Sequence, residues 1–252
     1  MIYLDSGATS FRKPPSVYRA VAQAMKTCAN PGRGGYGAAM QAAKTVYDCR
    51  EAAAKLFHCR PEQVVLTTSC THGLNIAIHS LVKPGARVAV SGFEHNAVTR
   101  TLRHFEKAGK IKIHQLSVST NLNYALERIR YQFDDVKPDL VVVSHASNVC
   151  GLIAPVEEIF SLAKKYSATT IVDMAQTAGL VDCNVGSSTF DFAIFAGHKT
   201  LYGPTGISGF VMSPEIKLPP VLFGGTGYES ANQDMPDSLP ERFEMGTQNT
   251  SG

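Results

Sequence analysis

Apolar positions recur along this chain with two alternating periods. Val17, Ala20, Val21, Ala24, Met25 and Cys28 fall at helical spacing, as do Ala42, Val46, Cys49, Ala53 and Leu56. Steps of three and four place such residues on one helix face. A short β-branched run follows, VVLTT (Val64 to Thr68), then a helical pattern through Ile76, Ile78 and Leu81. RVAVSG (Arg87 to Gly92) reads as another strand. DLVVVSHASN (Asp139 to Asn148) and TTIVDMAQ (Thr169 to Gln176) are nearly unbroken apolar runs that end in polar residues. Between them, VEEIFSLAKKY (Val156 to Tyr166) has helical periodicity, and DFAIFAGHK (Asp191 to Lys199) and GFVMS (Gly209 to Ser213) complete the set.

Strands that are apolar throughout are buried on both faces, as in a parallel sheet covered by helices. The predicted fold class is therefore α/β, a mostly parallel central sheet with helices on both faces. Ligands collect where the strands of such sheets end. Polar residues cluster at those points here: Ser144, His145 and Asn148 after one run, Asp173 and Gln176 after the next, His198 and Lys199 after the third. Beyond Ser213 the chain turns rich in Gly, Pro, Ser, Asn and Asp and stops at FEMGTQNTSG without a closing helix or strand pattern. That reads as a chain ending inside a larger protein.

Composition narrows the function. With 44% hydrophobic and 18% charged residues over 252 positions, the chain is expected to bury a sizeable core. A formal charge of +3 with no basic stripe argues against a nucleic-acid partner. MIYLDSGATS lacks a signal-peptide pattern, and no apolar run approaches the ~18–20 residues of a membrane span. The expectation is a cytoplasmic protein without a membrane partner. The six cysteines form neither C-x-x-C nor zinc-finger spacing, so no metal site is predicted and the thiols are expected to be reduced.

Four features could carry chemistry. A lysine closing a buried strand is desolvated, which makes its amine a better nucleophile toward carbonyls, pyridoxal phosphate among them. By position alone, Lys199 fits an ordinary solvated lysine at least as well. Asp173 could hold a pyridinium nitrogen protonated or merely cap a turn. TTSCTHGLN (Thr67 to Asn75) joins a strand to a helix start, where free N–H groups cradle phosphate or meet an ordinary N-cap. His95, in GFEHNAV, could stack on a flat cofactor and move protons, or be structural. At successive strand ends of one sheet, these groups match what a pyridoxal phosphate site needs.

The segments YLDSGATS, CTHGLN, FEHNAV, SHASNVCG, IVDMAQTAG, GHKTLYGPTG and FEMGTQNT resemble the cysteine desulfurase group of the class V aminotransferases. These enzymes have the fold-type I pyridoxal phosphate architecture. The most specific block runs from Asp173 to Gly206. The resemblance implies pyridoxal 5'-phosphate as cofactor, with Lys199 as Schiff-base lysine and Asp173 as pyridinium partner. His95 is implied to stack on the ring and share catalysis with Lys199. Gln176 is implied at the phenolic oxygen, Asn148 near that oxygen and the substrate carboxylate, and Thr71, His72 and His198 at the phosphate. Thr247 matches a residue that reaches the phosphate of the neighbouring subunit in a homodimer.

The implied reaction converts L-cysteine to L-alanine, the sulfur passing to an enzyme cysteine as persulfide and on to an acceptor protein, as in iron–sulfur cluster assembly. The implied organisation is an N-terminal arm (1–15) belonging with a small domain, a cofactor-binding large domain (16–252), and a C-terminal small domain absent from this chain. Three departures stand out. Ala196 replaces a serine usual two residues before the histidine, and one extra residue separates Lys199 from Tyr202. The persulfide cysteine and substrate-carboxylate arginine of the family lie beyond this chain. A selenocysteine or cysteine lyase, or an aminotransferase of the same class, would share these motifs. A non-catalytic scaffold would have no need of Lys199 and Asp173.

Overall fold

Alternating side chains on both faces of one sheet organise the chain. The computed structural model describes residues 2–32, 34–229 and 231–252. In chain order the elements are α1 (Pro15–Thr27), α2 (Gly37–Leu56), β1 (Val64–Thr67), α3 (Cys70–Leu81), β2 (Ala86–Val90), α4 (Asn96–Lys107) and β3 (Ile111–Gln115). Then come α5 (Leu126–Val136), β4 (Leu140–Ser144), α6 (Val156–Lys164), β5 (Thr169–Asp173), β6 (Phe192–Ala196) and β7 (Ser208–Met212). The strands form one seven-stranded sheet in the order β1-β7-β6-β5-β4-β2-β3. All pairings are parallel except those of β7, which runs antiparallel to both β1 and β6. The expected α/β architecture is thus present, and the orientation of β7 is what makes the sheet only mostly parallel.

The unbroken apolar runs have a direct cause. In β4, Val141 and Val143 join a core with Ile129 and Phe133 of α5 and Ile159 and Phe160 of α6. Leu140 and Val142 join a second core on the opposite face, with Leu74 and Ile78 of α3 and Leu102 and Phe105 of α4. Since successive side chains of a strand point to opposite faces, a strand covered twice can spare no polar position.

The sequence pattern assigned no element between Gly92 and Asp139, yet α4, β3 and α5 lie there. Each buries only a few of its side chains. In NAVTRTLRHFEK, the residues Val98, Thr101, Leu102 and Phe105 are buried among charges, and edge strand IKIHQ buries only Ile111. Among the described residues after Met212 there is no strand or α-helix, only a short 3₁₀ turn at Glu241–Phe243. A buried ion pair between Arg50 of α2 and Glu244 ties this stretch down.

The parallel strands bring Thr67, Val90, Ser144, Asp173 and Ala196 to one edge of the sheet. The polar tails of the apolar runs (145–148, 174–176 and 197–199) lie just outside the strands and line up along that edge.

Candidate functional site

A cavity of about 250 Å³ opens at this edge. Seven residues singled out from the sequence line it: Thr71, His95, Asn148, Asp173, Gln176, His198 and Lys199. They come from five separate segments, which only the parallel sheet brings together.

Asp173 ends β5 and is only 5% exposed. One carboxylate oxygen, Oδ1, accepts the Ala175 N–H at 2.9 Å and the Cys70 thiol at 3.5 Å. The other, Oδ2, takes no hydrogen bond from the described residues. Burial pushes the carboxyl above its ordinary range, against the pull of those donors and of Lys199 and His95 nearby. A buried acid with one satisfied and one free oxygen is set up to receive a cationic N–H donor.

Lys199 is partly buried and follows β6 by three residues. Its Nζ forms no hydrogen bond or ion pair with the described residues, although the amine faces a cavity that Asp173 also lines. Gly197 makes the turn before it possible. A Cβ there would stand 2.6 Å from the Ile207 carbonyl oxygen, and the Gly197 oxygen accepts the Gly203 N–H at 2.8 Å. The loop closes through Tyr202, which adopts a left-handed φ of 58°.

His95 caps the N-terminus of α4, its Nδ1 accepting the Ala97 N–H at 3.1 Å. Nδ1 is thereby an acceptor, so the neutral ring carries its proton on Nε2. The Ser69 hydroxyl caps α3 by accepting the His72 N–H at 3.1 Å. The first two amides of that helix, Cys70 and Thr71, have no intrahelical acceptor and lie at its positive end, next to the cavity. This is a cradle for an anion. Burial of Cys70, with the negative charge of Asp173 beside it, holds its thiol well above the ordinary cysteine range.

The N-terminal segment closes one side. Ala8 lines the cavity. Thr9 and Ser10 both donate their hydroxyls to the His198 carbonyl at 3.0 Å, and Gln176 Nε2 donates to the Gly7 carbonyl at 2.9 Å. Because Thr9 gives away its only hydroxyl proton, His198 Nδ1–H donates to Thr9 Oγ1 at 2.9 Å. Nε2 remains as the free ring nitrogen. Burial, Lys199 and Lys13 all push His198 toward its neutral form.

Two residues singled out from the sequence lie outside the cavity lining. His72 faces Thr68, its Nδ1 3.2 Å from Thr68 Oγ1. Thr247 is exposed, between Gly246, which donates to Gly225 O, and Gln248, which donates to Glu244. Ala196 does line the cavity, so no hydroxyl is offered at that position. The sequence reading passed over Cys70, Glu94 and the segment 8–10. Glu94 was signalled only by its place beside His95, and the N-terminal residues by nothing local, being 188 or more positions from His198.

The fold and the strand-edge cavity define an α/β protein with a ligand-sized site at the ends of its parallel strands. Residues 2–252 match the family model described as aminotransferase class-V, and the chain belongs to that family. Proteins similar to it include cysteine desulfurases. It is 30% identical to a probable cysteine desulfurase of Methanothermobacter thermautotrophicus, over 100% of this chain and 64% of the relative. The apo structure of a cysteine desulfurase from Thermococcus onnurineus NA1 superposes with a TM-score of 0.91 at 30% identity, covering 100% of this chain and 64% of that one. The cysteine desulfurase CsdA from Escherichia coli gives 0.85 at 26% identity, covering 99% and 64%. The chain thus spans about 64% of the length of the relatives it matches. Among the described residues no helix is long and apolar enough to cross a membrane.

Proposed function

We propose that this chain is the pyridoxal 5'-phosphate-binding part of a cysteine desulfurase, acting on L-cysteine as part of a homodimer. The observation that carries the reading is the convergence of Lys199, Asp173 and His95 on one cavity, with Lys199 Nζ and Asp173 Oδ2 both unpartnered among the described residues. The residues fit the cofactor: a free amine for its aldehyde, a buried carboxylate oxygen for its ring nitrogen, and a helix N-terminus for its phosphate. Bound there, the cofactor would supply an electron sink for charge developing at the substrate's α-carbon.

The chain's own groups divide the remaining work. Asp173 holds the ring-nitrogen proton at Oδ2. Lys199 carries the amine that holds the cofactor and exchanges a proton with the substrate's α-carbon. His95 presents Nε2–H, and Asn148 and Gln176 offer amides to polar oxygens of cofactor and substrate. Thr71 and the Cys70 and Thr71 amides receive phosphate, with His198 Nε2 available for a proton that an adjacent phosphate would stabilise. His72 and Thr247 act at the phosphate from outside this cavity, Thr247 toward a second subunit. Residues 16–252 form the cofactor domain and 1–15 an arm.

Cys70 is the only cysteine among the cavity-lining residues, and its thiol is held protonated beside Asp173. It is a poor sulfur acceptor, since the thiolate is the nucleophile. On this reading the persulfide-bearing thiol is not among the residues that line this cavity, and the isolated chain is a poor desulfurase. Adding pyridoxal phosphate to purified protein gives a visible absorbance band that Lys199→Ala abolishes, and L-cysteine then releases little sulfide. Protein that stays colourless overturns the cofactor assignment. Sulfide release at the rate of a full-length relative overturns the assignment of the thiol.

A further inference from the structure

Glu94 has no part in that reading, yet it occupies the joint between two strands of the site. It lies between β2 and α4, one residue before His95. Its Oε1 accepts the Ser144 N–H at 2.6 Å and the Ser91 hydroxyl, while Oε2 accepts the Ser144 hydroxyl at 2.7 Å. Ser91 directly follows β2 and Ser144 ends β4, and these strands are neighbours in the sheet. One carboxylate thus ties together two strand ends whose ladder has run out.

Both ends of this tie lead to the cavity. On one side, His95 follows Glu94 and is held from beyond by the Ala97 N–H, so its backbone is pinned both before and after the ring. On the other, Ser144 begins the loop that carries Asn148. Ser144 also stands opposite Asp173 in the β4–β5 register, and the His145 N–H donates to the Asp173 carbonyl at 2.9 Å. We propose that Glu94 is a positioning residue whose carboxylate aligns His95, Asn148 and the Asp173 strand end around the cavity. The proposal relies on the reading above only for what the cavity holds.

The surroundings of Glu94 make this alignment sensitive to pH. No cation pairs with it among the described residues. The titratable groups near it are Asp173 from β5, Tyr124 from the segment before α5, with Cys150 near Tyr124, and His95 beside it in sequence. Loss of water pushes its carboxyl up to about 7, the three hydrogen bonds opposing and the Asp173 charge adding. All three partners donate, which suits the ionised form. A protonated Glu94 must turn one serine hydroxyl round to accept, because the Ser144 N–H can only donate.

The test uses the protein without cofactor. The His95 imidazole signal is followed by NMR across neutral pH and identified by its loss in His95→Asn. In wild type its chemical shift should report the ionisation of Glu94 as a change centred at about 7. Glu94→Gln, with one acceptor oxygen and one amide donor, mimics the protonated acid and should abolish that change. Glu94→Ala should shift the resonance toward that of a mobile imidazole and weaken pyridoxal phosphate binding roughly tenfold, the scale of one lost hydrogen bond to a charged group. If Glu94→Ala does not fold, Glu94→Gln and Ser144→Ala carry the test, the latter losing only the hydroxyl donor. The change at about 7 retained in Glu94→Gln, or a His95 signal unmoved in both Glu94→Ala and Ser144→Ala, overturns the proposal. Wild type that binds no pyridoxal phosphate would instead overturn the cofactor reading, and the NMR result would still decide the role of Glu94.

Discussion

Removing Arg50 tests what holds the irregular C-terminal stretch against the sheet. Arg50 and Glu244 are 8% and 7% exposed. Arg50 Nη1 donates to Glu244 Oε1 at 2.6 Å and to the Val64 carbonyl at 2.7 Å, and Nη2 donates to Glu244 Oε2. Glu244 also accepts from the Leu66 N–H and from Gln248. The pair joins α2, β1 and the stretch that carries Thr247. Breaking a buried pair from one side costs about 3–5 kcal/mol, because it strands a charge away from water. That is a large part of a total stability of roughly 5–15 kcal/mol. For a chain of this size, it should lower Tm by about 6–20 °C.

The sign of the pH dependence follows from Glu244. Burial already raises its carboxyl above the ordinary range, with Arg50 opposing. Without Arg50 it rises further. A raised acid weakens the fold as pH climbs through its folded value and relieves it below. Arg50→Met should therefore lose most stability in mildly alkaline buffer and least in mildly acidic buffer. Adding Glu244→Gln removes the stranded charge while its oxygen still accepts from Leu66, and should recover about 2 kcal/mol. Urea unfolding followed by circular dichroism at both pH values measures all of this. A penalty for Arg50→Met below about 1 kcal/mol, typical of an exposed pair, would refute the reasoning. So would a loss that is equal at both pH values and unrelieved by Glu244→Gln.

Alkylation near neutral pH should rank the thiols. Cys150 is exposed, and hydrogen bonds involving Ser147 and Leu152 lower its pKa, so it should react first. Cys70, raised by burial, and Cys59 and Cys183, pushed up to about 11 and about 12, should lag; peptide mass mapping that finds Cys70 labelled as fast as Cys150 contradicts this. Gly197→Ala should cost about 2 kcal/mol or more, because its methyl meets the Ile207 carbonyl oxygen at 2.6 Å. It should also displace Lys199 and weaken the visible cofactor band, and an unchanged denaturation midpoint would show that the loop yields.

The central strands were legible because they are covered twice. A run such as Leu140 to Val143 has no polar alternative on either face. The edge elements α4, β3 and α5 were not, because one of their faces meets water and their few apolar residues sit among charges. Lys199 and Asp173 could be singled out because a charged residue closing an apolar run is itself a pattern. Glu94 and Cys70 showed no such pattern, since what distinguishes them is a partner on another strand end: Ser144 for one, Asp173 for the other.

The sequence by itself determined the two-face core, the order of strands and helices in its most apolar parts, and the polar residues placed at strand ends. Local periodicity encodes all of these, because burial acts on each residue in turn. The tertiary structure alone decided that β7 runs against its neighbours, that Thr9 and Ser10 close onto His198, and that Arg50 finds Glu244. Those outcomes depend on hydrogen bonds between groups far apart in the chain. Such bonds leave no period in the sequence and exist only once the sheet has brought its ends together.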